Sequence, residues 1–161
     1  MKKINNAFAK KDKNFGCFGC SPFNEHGLKL NFHLDDKKLF CIWNPDHKFD
    51  GWKNIIHGGI QTTIIDETSE WLVFALYGRS AVTMELNVKF IKPLRSDEGE
   101  IKAVAEVLNF NKNIIEIKTI ILNNSNQICT DSVGKFFVYD EKKSKEIFNF
   151  PEHNDFFDNT D

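Results

Sequence analysis

The residues with the clearest chemical potential are His57, Gly58 and Gly59, together with an acid, Asp66, that follows them in an apolar stretch. A His-Gly-Gly turn that opens a helix exposes backbone N–H groups which the helix cannot satisfy, so it favours negative charge. Asp66 lies about two and a half turns further along such a helix. Because its neighbours are mostly apolar, it does not belong to a solvated helix face. A donor site and a lone acid on one helix suit chemistry on a polarised carbonyl.

The cysteines suggest a second possible site. Cys17 and Cys20 have the spacing of half a zinc knuckle, but Cys41 and Cys129 are isolated, so a second paired motif is missing. Cys20 also runs into Ser-Pro rather than into a helix, which is unlike a redox motif. The sequence therefore favours a packed, reduced turn. We expect no metal, no disulfide and no organic cofactor.

Composition indicates one ordinary globular domain. The chain has 161 residues, of which 41% are hydrophobic and 16 are Phe, and its net charge is −2. That charge gives no electrostatic reason to expect nucleic acid or an anionic membrane as a partner. No apolar run approaches the roughly 20 residues that span a bilayer, and no apolar segment follows the N-terminal lysines. The expected location is the cytoplasm.

The chain divides into three parts by composition. Residues 1–14 are polar and rich in lysine, so they are predicted to form a flexible arm. Residues 15–140 carry the periodic apolar patterns of a folded domain. Residues 141–161 form a polar tail, whose scattered phenylalanines allow part of it to dock on the domain.

Hydrophobic periodicity predicts an α+β fold. One long helix is apolar on more than one face, which requires a sheet around it. The strands are joined by short turns, so the sheet is antiparallel. Its form is a curved sheet wrapped around one central helix. The predicted helix covers residues 57–76, a loop covers 44–53, and the strands cover 28–34, 38–43, 82–90, 100–108, 114–122 and 128–139.

This order resembles the hotdog-fold acyl-CoA thioesterases. The nearest likeness is to the phenylacetyl-CoA thioesterase-like (PaaI-like) branch of the 4-hydroxybenzoyl-CoA thioesterase (4HBT) superfamily. The resemblance covers roughly residues 15–139. It is carried by Cys17-Phe18-Gly19-Cys20, Asn24-Glu25-His26-Gly27-Leu28, His57-Gly58-Gly59-Ile60, Asp66-Glu67, the segment 83–93 and Gly134-Lys135-Phe136-Phe137-Val138.

The resemblance implies a role for each motif residue. Gly58 falls where the family uses a helix-start N–H to hold the thioester oxygen. Asp66 falls where the family places its catalytic carboxylate, which attacks the thioester or activates water. His57 belongs to the same motif, with a catalytic or a structural role. Subunits of the family build each active site across a dimer interface along which acyl-CoA lies, so we expect a homodimer or a homotetramer made of two dimers.

Six residues near this motif are predicted to contact the substrate. Glu67 points about 100° away from Asp66, whereas Glu70 shares its face at i+4. A small or apolar residue is more usual in the family at the second position, so Glu70 bears on the acyl pocket and could raise the pKa of Asp66 by repulsion. The phosphates of CoA require basic partners, although exposed bases on a strand are often only solvated. The six residues are Gly59, Glu67, Glu70, Lys89, Lys92 and Arg95.

Two other functions fit the same fold. A non-catalytic acyl-CoA binding or regulatory module would use the same pocket, but the presence of Asp66 favours an enzyme. A hotdog dehydratase would need a histidine base paired with an acid across the pocket, whereas His57 is already explained by the helix start. The sequence leaves the acyl group open.

Overall fold

The computed structural model describes residues 1–158 of the chain. Seven strands form one antiparallel sheet: β1 (Lys2–Ile4), β2 (Asn31–Asp35), β3 (Lys38–Trp43), β6 (Ala81–Phe90), β7 (Ile101–Asn111), β8 (Ile114–Leu122) and β9 (Ile128–Val138). A separate pair consists of β4 (Asp50–Trp52) and β5 (Ile55–Ile56). The helices are α1 (Ala7–Lys11), α2 (Gly58–Tyr77) and α3 (Glu141–Phe148). The order in the large sheet is β1-β2-β3-β7-β8-β9-β6, so β6 is an edge strand.

The long helix α2 is the centre of the fold, as predicted. It begins after His57, whose side chain caps it, and ends at Gly78, which adopts the left-handed conformation with φ 62°. Its apolar residues are buried against six strands of the large sheet, β2, β3 and β6 to β9. Trp71 stacks on Phe32 of β2 with ring centroids 4.6 Å apart. The sheet therefore wraps the helix and fixes the direction of each helical side chain.

The predicted strand 28–34 is shorter in the structure, because it begins only at Asn31. The N–H groups of Leu28 and Leu30 donate instead to the carbonyls of Phe18 and Gly19, at 2.8 and 2.9 Å. Lys29 between them has a positive φ of 54°, which a strand does not allow. This segment holds the Cys17–Cys20 turn rather than extending the sheet. The predicted loop 44–53 likewise contains a 3₁₀ turn at His47–Phe49 and the strand β4.

The prediction of a flexible arm over residues 1–14 is wrong. Strand β1 pairs with β2, and Ala7 and Ala9 of α1 are buried. Phe8 lies in an aromatic cluster, with its ring 6.0 Å from Trp71 and 5.4 Å from Phe150. Phe8 is half-buried there, and its packing among aromatic rings stabilises a segment whose sequence is otherwise mostly polar.

Part of the C-terminal tail docks on the domain, as its phenylalanines allowed. Phe150 and Phe156 are buried, and the N–H of Asn5 donates to the carbonyl of Phe156 at 2.8 Å. The two ends of the chain thus cover the same side of α2. Residues 159–161 of the predicted tail lie outside the described residues. Within residues 1–158, no helix is long and apolar enough to cross a membrane.

Candidate active site

The start of α2 carries the predicted donor. The N–H of Gly59 donates to His57 Nδ1 at 2.8 Å, so this group is already engaged. For the N–H of Gly58 no acceptor is found within residues 1–158. His57 is exposed and acts as a helix cap, which favours a positioning role over contact with the reacting atoms. The free polar group at the helix start is therefore the Gly58 amide.

Gln61 holds this helix start in place, a role that sequence reasoning missed. Its Nε2 donates to the carbonyl of Ile56 at 3.0 Å, and its Oε1 accepts from Thr130 Oγ1 at 2.5 Å. These bonds tie the first turn of α2 to β5 and to β9. The only sequence signal was an amide one turn into an apolar helix, which does not reveal its partners.

An open cavity of about 810 Å³ lies at the helix start and contains Gly58 in its wall. Trp52, which is 82% exposed, and Phe90 line the cavity with Lys92. Of the three bases predicted to bind CoA phosphates, Lys92 is the one the structure brings here. The structure places Lys89 and Arg95 elsewhere.

Lys89 and Arg95 do not line this cavity. Lys89 lies beside Glu85 and Asn87 along β6. Arg95 forms ion pairs with Asp97 at 2.7 Å and with Glu98 at 3.1 Å. Turn residues close to Arg95 in sequence therefore satisfy its charge, and the structure does not support the prediction that it binds substrate.

Asp66 lies further along α2, beside the edge strand. Thr83 Oγ1 of β6 donates to Asp66 Oδ1 at 2.6 Å, a contact absent from the sequence predictions. Burial raises the pKa of Asp66, and the hydrogen bond from Thr83 opposes that rise. A half-buried carboxylate with a raised pKa and one fixed hydrogen bond can act as a base or a nucleophile.

Glu67 and Glu70 face a second cavity, of about 480 Å³, between α2 and the N-terminal segment. Burial raises the pKa of Glu67 to about 8 and that of Glu70 to about 9, and the charge of Asp66 adds to both shifts. The electrostatic repulsion that was predicted to raise the pKa of Asp66 therefore raises the pKa of Glu70 instead. Aromatic side chains, among them Phe15 and Trp71, form much of the remaining wall.

Glu67 also meets the cysteine pair. Cys17 Sγ lies 3.0 Å from Glu67 Oε1, within hydrogen-bonding distance. The sulfurs of Cys17 and Cys20 and a Glu67 oxygen all lie within 4.8 Å of one another. A hydrogen bond with Cys20 lowers the pKa of Cys17. These three residues are the group in the described part of the chain that could hold a metal ion.

Comparison with known proteins agrees with the predicted hotdog fold. The thioesterase superfamily (4HBT) profile matches residues 53–130, which include Gly58 and Asp66. Mouse acyl-coenzyme A thioesterase THEM5 is 34% identical over 59 residues, which are 37% of this chain and 23% of that protein. The chain therefore spans about a quarter of that relative's length.

Solved structures agree with this match. The Haemophilus influenzae thioesterase HI1161 superposes with a TM-score of 0.66 at 21% identity, covering 75% of this chain and 85% of that one. The BH2602 protein of Bacillus halodurans, solved with CoA, superposes with a TM-score of 0.66 at 21% identity, covering 83% of this chain and 86% of that one. The predicted hotdog fold and the resemblance to the thioesterase superfamily are confirmed. The PaaI-like branch stays a prediction.

Proposed function

We propose that this thioesterase-superfamily protein hydrolyses an acyl-CoA thioester to the free acid and CoA, with Asp66 and the Gly58 amide as its catalytic groups. The observation that carries the proposal is a helix-start N–H without a protein acceptor on a cavity wall, with a half-buried carboxylate on the same helix. The name of the mouse relative and the CoA in the Bacillus halodurans structure support acyl-CoA as substrate.

Two copies of the chain are needed to complete the site. Gly58 and Asp66 are about 12 Å apart along α2 at 1.5 Å per residue, too far to act on one carbonyl group. Edge strand β6 connects their positions, since Thr83 hydrogen-bonds to Asp66 and a Cβ placed on Gly58 would meet the ring of Phe90 at 3.3 Å. Antiparallel pairing of β6 with a second copy, centred between Leu86 and Asn87, would bring Thr83 of one protomer opposite the partner's Phe90.

That pairing would place Asp66 of one protomer near the partner subunit's Gly58. The unpaired edge of β6 also exposes Met84 and Phe90, with Ile91 just beyond it, each to more than half of its full extent. A long apolar edge is an aggregation hazard unless another strand covers it. An isologous dimer removes this hazard and forms two equivalent sites at once.

The chemistry follows from this arrangement. The Gly58 N–H donates to the carbonyl oxygen of the thioester and stabilises the negative charge that develops there, a contribution of about 3–4 kcal/mol in comparable sites. Ionised Asp66, oriented by Thr83, either removes a proton from the attacking water or attacks the carbonyl carbon itself. In the second route water then cleaves the resulting anhydride. Both routes break the C–S bond, release CoA as its thiol and consume one water.

The two cavities suit the two ends of the substrate. Lys92 supplies positive charge at the mouth of the larger cavity, where the CoA phosphates would lie. The smaller cavity extends from Glu70 among aromatic rings and would receive the acyl group. Because its pKa is raised to about 9, Glu70 is protonated at neutral pH and can donate a hydrogen bond there.

The test is turnover of short-chain, medium-chain, long-chain and aromatic acyl-CoAs, followed by release of free thiol. Asp66→Asn keeps the shape of the side chain and should lower kcat by ~100-fold or more with little change in KM. The matched control is Asp36→Asn in the β2–β3 turn, whose positive φ of 52° asparagine tolerates, and it should keep full activity. Near wild-type turnover by Asp66→Asn would contradict this chemistry, whereas a wild type that binds acyl-CoA without releasing thiol would favour the acyl-CoA binding module.

A further inference from the structure

The Cys17–Cys20 turn lies directly on the face of α2 that carries Glu67. The turn is held from outside by Leu28 and Leu30, whose N–H groups donate to the carbonyls of Phe18 and Gly19. On its inner side the turn packs closely against α2, since a Cβ on Gly19 would overlap the Glu67 side chain. The absence of a side chain at Gly19 thus leaves the space that Glu67 occupies.

The contact brings together three groups that ligate metals. Two sulfurs and one carboxylate oxygen lie within 4.8 Å of one another, and Cys20 is buried. No ion pair between Glu67 and a basic side chain is found in the part of the chain that the structure describes. A divalent cation would supply the positive charge that this cluster does not receive from the protein.

We propose that Cys17, Cys20 and Glu67 bind a zinc ion. Zinc takes thiolate ligands at about 2.3 Å and carboxylate ligands at about 2.0–2.2 Å in tetrahedral geometry, so small movements within the cluster accommodate it. Thiolates favour zinc over magnesium or calcium. Three protein ligands leave a fourth position for water, and all three residues line the cavity that Glu70 also lines. Binding displaces the thiol protons and any carboxyl proton to solvent.

This site differs from the one considered in the sequence, where a second Cys or His pair was sought. The third ligand comes instead from the central helix, far away along the chain. Its neighbour in sequence is Asp66, so the ion would fasten the N-terminal segment to the helix beside the proposed catalytic acid. The inference does not depend on thioesterase activity, because metal content can be measured directly.

The experiment uses the full chain, purified under reducing conditions without added metal and then stripped with a chelator. We expect about one zinc per chain as purified, and one equivalent of Co²⁺ on titration with the strong near-ultraviolet band of a thiolate–cobalt bond. Cys17→Ser should remove at least half of that band, because only Cys20 remains to supply a thiolate. Glu67→Gln should weaken Co²⁺ binding at least tenfold, since even the loss of an indirect partner costs ~10–100-fold. Cys129→Ser removes a buried thiol from β9 and should bind like the wild type.

Three results would overturn the site. One is a wild-type protein that binds neither zinc nor Co²⁺. Another is equal Co²⁺ binding by Glu67→Gln and wild type, a comparison that remains available if Cys17→Ser fails to fold. The third is a thiol count showing that Cys17 and Cys20 form a disulfide in the protein as purified, because a disulfide cannot bind the ion.

Discussion

The proposed division of one active site between two protomers can be tested by removing a single backbone N–H. Gly58→Pro deletes the proposed oxyanion donor at the first residue of α2, a position where proline is well tolerated. His57 has φ −56° and ψ 137°, which a following proline accepts. Gly58→Ala is the matched control, since it keeps the N–H and adds the same Cβ against Phe90.

The expected loss follows from the role of the donor. Removing one oxyanion donor costs about 100–1,000-fold in kcat in comparable sites, or about 3–4 kcal/mol. Gly58→Pro should therefore be slower than Gly58→Ala by that factor, at similar thermal stability. Equal kcat values for the two variants would show that the Gly58 N–H does not stabilise the transition state.

Mixing the Gly58→Pro and Asp66→Asn proteins then locates the two groups. In a mixed dimer one site would carry both defects and the other would carry neither. Random reassociation of equal amounts gives half mixed dimers, so about a quarter of the wild-type activity should return. Co-expression with two affinity tags and isolation of the mixed dimer should give about half.

Two outcomes would refute a shared site. If Gly58 and Asp66 of the same chain worked together, the mixture would show only the residual activities of the two variants. Sedimentation of the wild type as a single species of 18.6 kDa at micromolar concentration would likewise exclude the dimer on which the experiment depends.

Substitutions at Glu70 and at Lys92 test the two cavities, with a control at Lys89. Glu70 has a pKa raised to about 9 in the folded protein, against 4.5 for an ordinary Glu. Between these pH values the folded state keeps the proton and the unfolded state loses it, so wild-type stability falls as pH rises through that window. Glu70→Gln should therefore gain stability relative to wild type between pH 5 and pH 8.5 in denaturant titrations with chelator and reductant present; a constant difference would contradict the buried neutral acid. Lys92→Gln should raise KM for acyl-CoA by up to about fivefold at low salt with kcat unchanged, whereas Lys89→Gln, away from the cavity, should not. Equal KM values for the two lysine variants would remove Lys92 from the CoA site.

The fold was predictable where the pattern that specifies an element is local. Helix α2 was placed within one residue at each end because His57 and Gly78 cap it. Strand 114–122 was placed correctly because every second residue from Ile115 to Ile121 is buried on one face of the sheet. Helix α1 and strand β1 were missed because they have only five and three residues and depend on distant contacts such as that of Phe8 with Trp71. Such stabilisation comes from tertiary packing and leaves no periodic signal.

The candidate site was likewise predictable only where local sequence specifies it. Gly58 and Asp66 were visible in the sequence because the first belongs to a His-Gly-Gly turn that opens a helix and the second is an acid in a mostly apolar helical stretch. Thr83 and Gln61 were not, because their roles depend on how the strands lie against α2, which no spacing along the chain specifies. Arg95 was predicted to contact the substrate from its charge and its position just after the strand that flanks the helix, and that reasoning did not anticipate that Asp97 and Glu98 in its own turn pair with it.

Three carboxyl groups on one buried helix can coexist because their surroundings separate their ionisation. Glu70 and Glu67 have pKa values raised to about 9 and about 8, mainly by burial. Burial also raises the pKa of Asp66, but the hydrogen bond from Thr83 stabilises its charged form and opposes that rise. Groups whose pKa values are driven apart in this way can take different chemical roles. Under the proposed mechanism Asp66 carries the negative charge that catalysis requires and Glu70 keeps a proton for the substrate, while a cation bound beside Cys17 would favour the charged form of Glu67.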